Sequence, residues 1–333
     1  MDYPVIERPF VKNPFSTKII RLFDLLREKK TEYGVASCLL LTGESGSGKS
    51  GLAEYYAQNN PLQEQAERTF IPVLHYELES VSTPEEFLKS LLVAIRDPQL
   101  GQGARNKKDL LDRLVGLIEV TGVELLILDE IQVIIERRSA KVVTGIADLF
   151  KDLIKKTNVP IVFMGMPWTK YLVDSNPQLK RRIHYRHVIP PYRVSEKADR
   201  DDYRRLLKVL GDHYQLSTSI KLEDLDMTLR LFSVTSGNLR YTVNLVCDAF
   251  IYSRLNSLKI NKALFADVVK SYGVPDAFNA FLIPLNKIEV RELITSSDWD
   301  FGKSANRNAI IDAAYATFGV TEEKKLYGIT GAA

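Results

Sequence analysis

Two stretches of the chain carry residue types at the spacing that phosphate chemistry needs. In the first, Gly43, Gly48, Lys49 and Ser50 fit the pattern G-x-x-x-x-G-K-[ST]. Glycines there let consecutive backbone N–H groups fold around phosphate oxygens, because they reach conformations that a Cβ disfavours. Lys49 is expected to reach the β and γ phosphates of ATP, and the Ser50 hydroxyl to ligate Mg²⁺. The run Gly43, Glu44, Ser45, Gly46, Ser47, Gly48, Lys49, Ser50 and Gly51 is then the expected nucleotide cradle. A helix opening here adds the positive end of its dipole to the anion site. In the second stretch, Leu125, Leu126, Ile127 and Leu128 lead into Asp129 and Glu130. Asp129 is expected to hold Mg²⁺ through water, and Glu130 to orient and polarise the attacking water. The bland alternatives are a glycine-rich turn and a solvated acidic turn. An apolar strand before each loop, and the helical run Leu52, Ala53, Tyr56, Ala57 after the first, argue against them.

Both loops must sit at the carboxyl ends of strands in one sheet, where ligands bind in open α/β folds. Residues 35–41 and 124–128 read as strands buried on both faces, as a parallel sheet requires. Residues 70–78, with Pro72 near the start or at an edge, 159–166 and 184–189 read as three more. Helical spacing between them predicts an α/β fold with a five-stranded parallel sheet flanked by helices on both faces. From residue 196 to about 273 the pattern is helical throughout. The expected division is an amino-terminal arm and first helix (1–34), a nucleotide-binding core (35–190), a small all-helical unit (191–273) and an extension (274–333) with a mobile tip. Pro4, Pro9 and Pro14 make the arm an extended segment lying over a surface, either covering an adenine ring or simply packing.

Composition narrows the class further. The chain is 45% hydrophobic and 26% charged, ordinary for a soluble globular protein with a large core. A net charge of +3 is too weak to argue for nucleic acid by itself, so local clustering has to carry that argument. Cys38 and Cys247 belong to no CxxC pair and are expected as buried free thiols in a reducing cytoplasm. The amino terminus lacks the basic-then-apolar order of a secretory signal, and the apolar runs fall far short of the roughly 20 residues of a membrane helix.

The order of Gly43 to Ser50, Leu126-Ile127-Leu128-Asp129-Glu130-Ile131-Gln132, the 159–166 strand, Gln178-Leu179-Lys180-Arg181-Arg182 and Ser236-Gly237-Asn238-Leu239-Arg240 resembles AAA+ ATPases. More narrowly it is similar to the TnsC/TniB group, ATP-dependent regulators of bacterial DNA transposition, over roughly residues 10 to 270. That resemblance implies that the helical unit is a lid. Arg181 or Arg182, Arg182 being favoured, would point into a neighbouring subunit's site, and Arg240 would contact the γ-phosphate in cis. The alternative for each is an ordinary surface arginine. One departure stands out: Met164-Gly165-Met166 lacks the polar sensor usual at the end of the fourth strand, so either Thr169 substitutes or that contact is missing and hydrolysis is slow.

The resemblance further implies head-to-tail assembly on double-stranded DNA, a heterologous interface that does not close giving a filament. Arg105, Lys107 and Lys108 are one candidate set for the phosphate backbone; Arg137, Arg138 and Lys141 are a second. Both are equally readable as solvated basic loops. The implied activity is an ATPase that oligomerises on target DNA and recruits a transposase, with hydrolysis driving disassembly. A target-selecting protein and further copies of the chain are the other implied partners. The alternatives are a replication-initiator or loader-like ATPase, and a scaffold that uses nucleotide only as a switch.

Overall fold

The computed structural model describes residues 9–66, 68–79, 83–136, 139–216, 219–303 and 309–319. In chain order the elements begin with α1 (Pro14–Tyr33), β1 (Cys38–Thr42), α2 (Lys49–Gln58), β2 (Gln63–Glu64), β3 (Thr69–Phe70), β4 (Val73–Glu77), α3 (Pro84–Ala94), α4 (Lys107–Thr121) and β5 (Leu125–Asp129). They continue with α5 (Val133–Glu136), α6 (Ala140–Thr157), β6 (Ile161–Gly165), α7 (Lys170–Asp174), α8 (Pro177–Lys180) and β7 (Ile183–Val188). The helices α9 (Lys197–His213), α10 (Leu225–Thr235), α11 (Leu239–Asn256) and α12 (Lys262–Ser271) follow, then β8 (Glu289–Thr295), β9 (Asp298–Trp299), β10 (Ile310–Ile311) and β11 (Ala314–Gly319).

The main sheet has five parallel strands in the order β4-β5-β6-β1-β7. Its three inner strands, β5, β6 and β1, are buried at every position, which is why they read as unbroken apolar runs. The outer strand β7 alternates instead, Ile183 inward and His184 exposed. Successive side chains leave a strand on opposite faces. Cys38, Leu40, Leu126, Leu128, Ile161 and Phe163 therefore meet α3, α4 and α6 on one face, where Phe87, Phe150 and Phe163 make edge-to-face contacts at 5.2 and 5.0 Å. Leu39, Leu41, Leu125, Ile127, Val162 and Met164 meet α1 and α2 on the other. Both cysteines are buried and free.

One expectation changes. Residues 70–78 do not form one strand: β3 pairs antiparallel with β2, and the parallel ladder starts at Val73. Pro72 has no N–H to donate, and the Ile71 N–H goes to the Thr121 carbonyl at 2.8 Å instead of to a strand. The segment expected as a partly ordered extension contains the antiparallel pair β8–β11, packed on the helical unit with Ile288 and Val290 fully buried in its core. The alternation there was hidden by Glu292, an acid at an inward position. Its carboxylate accepts hydrogen bonds from the Val194 and Ser195 N–H groups and from the Ser195 hydroxyl. The expected mobile tip, residues 331–333, lies outside the described residues. Among the described residues no helix is long and apolar enough to cross a membrane.

Candidate nucleotide site

The sheet order places the turn after β1 and the turn after β5 on either side of the β6 end, roughly 10 Å apart at a strand spacing of about 4.8 Å. Between Gly43 and α2 the chain turns through Gly46 (φ 74°) and Gly48 (φ 97°), left-handed conformations that other residues resist. Lys49, the first residue of α2, is 4% exposed and its Nζ donates to the Gly43 and Glu44 carbonyls at 2.8 and 3.0 Å. Burial pulls its pKa below the ordinary lysine value, opposed by the charges of Glu130, Asp129 and Glu44. Ser50 follows in the first turn of α2, and Gly51 after it has open space around it.

Asp129 ends β5 with no exposed surface. One carboxylate oxygen accepts the Glu130 N–H at 2.8 Å; the other, Oδ2, is buried with no hydrogen-bond partner. A buried carboxylate oxygen without a protein donor, next to Lys49 and the loop, has the donor chemistry for a hard cation or its water, so Asp129 and Ser50 fit Mg²⁺. Glu130 holds a left-handed backbone (φ 57°), uncommon for a residue with a Cβ, and its side chain accepts from Gln132 Nε2. The sheet neighbour of Asp129 is Glu77, whose pKa burial and the two acids raise.

Several partners of the loop were missed by the sequence reading. Asn238 caps α11 through its Oδ1 to the Tyr241 N–H (3.2 Å) while its Nδ2 donates to the Ser45 carbonyl (2.8 Å). The Arg240 N–H donates to the Gly46 carbonyl at 3.0 Å, so the start of α11 clasps the loop and puts the exposed Arg240 side chain beside it. A Cβ on Gly46 would meet Asn238 Oδ1 at 2.5 Å and Arg240 Cβ at 3.0 Å, and one on Gly48 would meet Leu239 at 2.8 Å. Ser297, just before β9, donates its N–H and hydroxyl to the Glu44 carboxylate at 2.7 and 2.8 Å. The arm packs Phe10 on Tyr55 at 4.3 Å and ties Asn13 to the Tyr192 hydroxyl at 3.0 Å. It lines a cavity of about 80 Å³ with Ser47, Ile189 and Tyr192. A larger cavity of about 690 Å³, between α1 and α9, contains no phosphate-loop residue.

As the sequence indicates, no polar side chain stands at the end of β6. Gly165 stands there, and a Cβ on it would lie 2.4 Å from both Gln132 Oε1 and Thr169 Oγ1. Thr169 is fully buried and its hydroxyl has no partner. Arg181 and Arg182 precede β7 at the opposite end of the sheet: the Cys38 N–H, at the start of β1, donates to the Arg182 carbonyl at 2.9 Å. The phosphate loop begins beyond Thr42, four residues on, about 13 Å away at a strand's rise. These arginines are therefore not brought to the chain's own loop.

Of the two basic sets, Arg105 and Lys108 are exposed and Lys107 half-buried at the start of α4, capped by Asn106. Lys141 is exposed in the first turn of α6; Arg137 and Arg138 lie outside the described residues. Lys156 near the end of α6 bonds Asp112 near the start of α4.

A family model described as "Bacterial TniB protein" matches residues 5–193, more than half of the chain. No curated protein sequence matches it. Among solved structures it is similar to Cdc6p from Pyrobaculum aerophilum, with TM-score 0.58, 13% identity, 85% of this chain and 74% of that one covered. It is also similar to the Aeropyrum pernix ORC2 protein solved as ADPNP-ADP complexes (TM-score 0.56, 14% identity, 81% of this chain, 70% of that one). The Aeropyrum pernix ORC1 protein in complex with DNA aligns at TM-score 0.54 and 17% identity, over 79% of this chain and 66% of that one. At such identities the likeness establishes a shared fold alone.

Proposed function

The chain belongs to the bacterial TniB family, and from that premise we propose that it is an ATP-hydrolysing regulator of DNA transposition that assembles on double-stranded DNA. The observation that carries the reading is the pairing of a buried Lys49 and the unpartnered Asp129 Oδ2 with an intact Glu130, which a scaffold using nucleotide only as a switch does not need. In the proposed mechanism the loop N–H groups and Lys49 bind the phosphates of ATP, and Ser50 and Asp129 hold Mg²⁺. The bound cation supplies neutralisation of charge on the phosphates. Glu130 orients water and accepts its proton. Arg240, carried on the helix that clasps the loop, links the lid to the γ-phosphate.

The distance of Arg181 and Arg182 from their own loop supports a role in trans, Arg182 of one copy reaching the site of the next. Repeated along an open head-to-tail assembly, Arg105, Lys107 and Lys108 track the DNA backbone without reading bases, and Lys141 with Arg137 and Arg138 forms a separate contact. The assembly recruits a transposase and answers to a target-selecting protein in the cytoplasm; loss of the γ-phosphate weakens the contact between copies and drives disassembly. The DNA-bound Aeropyrum ORC1 fold also supports DNA as a partner and keeps an initiator-like ATPase as a second reading.

The test is sedimentation and negative-stain imaging with ATP, ADP and a non-hydrolysable analogue, with and without duplex DNA. Long DNA-bound assemblies only with the triphosphates, lost in Arg182→Ala or Arg181→Ala while nucleotide binding persists, support the proposal. A protein that stays monomeric and ignores DNA in every nucleotide state refutes it.

A further inference from the structure

Gln132 is 4% exposed and its side chain spans two elements. Its Oε1 accepts the Met166 N–H at 3.1 Å, just past the end of β6, and its Nε2 donates to Glu130 Oε2. The Met166 N–H fixes which end of the amide faces which way, since an N–H must meet the oxygen and leaves the NH₂ for the carboxylate. Gly165 leaves the room for this strut, because any Cβ there would overlap Gln132 Oε1. We infer that Gln132 is the positioning residue for Glu130, anchored to the end of β6 through the Met166 N–H and holding the carboxylate with its NH₂.

The inference deepens the proposed ATPase reading and rests on Glu130 as the group that activates water. Glu130 sits on a left-handed backbone at the end of its strand and its oxygen Oε2 has a donor in Gln132. Without that strut the side chain samples several rotamers, and a misplacement of about 1 Å costs on the order of a hundred-fold in rate. The strut's hydrogen bonds go to Glu130 and Met166, neither of them in the phosphate loop, so it bears on the chemical step and not on nucleotide affinity.

The experiment is steady-state ATP hydrolysis with parallel titration of a fluorescent, non-hydrolysable ATP analogue and thermal denaturation, on wild type, Glu130→Gln, Gln132→Ala and Gln132→Glu. Gln132→Glu keeps the side chain's shape and an acceptor for the Met166 N–H, but sets a second carboxylate against Glu130. We expect kcat to fall about ten- to hundred-fold in Gln132→Ala and at least as far in Gln132→Glu, with analogue affinity within about two-fold of wild type. A purely structural strut predicts the reverse ranking, Gln132→Glu retaining activity because its fold-side bond survives. Full kcat in either Gln132 variant, beside an inactive Glu130→Gln, overturns the inference alone. A Glu130→Gln protein that hydrolyses ATP at the wild-type rate overturns the reading of Glu130 and the inference with it.

Discussion

Replacing Asn238 separates the two jobs this side chain does at the join of lid and phosphate loop. Asn238→Ala removes the α11 cap, the Oδ1 bond to the Tyr241 N–H, worth about 1 kcal/mol, and the Nδ2 bond to the Ser45 carbonyl. The latter is exposed and takes a value near the bottom of the range, about 0.5 kcal/mol. The loss should be about 1.5 kcal/mol, roughly ten-fold in the unfolding equilibrium. Asn238→Asp keeps an acceptor at the cap, at the favourable end of the helix dipole, so it should lose only about 0.5 kcal/mol. Its carboxylate beside the loop should instead weaken ATP binding about five-fold, since a like charge near a protein surface costs on the order of 1 kcal/mol. Urea denaturation followed by far-UV circular dichroism reads the first effect and titration of a fluorescent ATP analogue the second. Equal destabilisation by the two variants, or none by either, would refute the assignment of cap and clasp to one side chain.

Further outcomes follow from the same geometry. Gly165→Ala puts a Cβ 2.4 Å from two buried oxygens and should destabilise the protein by about 1–3 kcal/mol, measured by chemical denaturation, while also lowering ATP turnover. Glu292→Ala leaves the Val194 and Ser195 N–H groups without their acceptor and should cost about 3 kcal/mol, read as a lower denaturation midpoint. Burial holds the pKa of His75 below the ordinary histidine value against the pull of Asp129 and Glu54, and burial together with the charge of Lys18 lowers that of His187. As pH falls below about 6.5 the unfolded chain takes up protons first, so stability should decline on acidification through the lowered native pKa. His75→Gln should flatten that decline in melting temperature against pH, and an unchanged slope would remove His75 as its source.

The phosphate loop and the Asp129-Glu130 turn were legible because each is a local pattern: residue types at fixed spacing set the backbone path, and an apolar run sets a strand buried on both faces. The five-stranded sheet was legible for the same reason, except that Pro72 ended the ladder of the edge strand β4 early. Outside that sheet, Glu292 disguised an inward position of β8 as an outward one. An acid buried against backbone N–H groups cannot be told from a surface acid until its partners, 97 and 98 positions earlier in the chain, are in place.

What the sequence determined by itself is therefore which residue types stand at each loop, Lys49 and Ser50 in one and Asp129 and Glu130 in the other, the roles at phosphate, cation and water being those of the proposed function. Only the tertiary structure decided what holds those groups still. Gln132 meets Met166 across 34 residues, Asn238 meets Ser45 across 193, and Ser297 meets Glu44 across 253. Such contacts depend on the strand order, on which way the helices cross, and on the space a glycine at the end of β6 leaves open. Local propensity fixes conformation residue by residue; the burial and the neighbours of a side chain are fixed by how the layers pack.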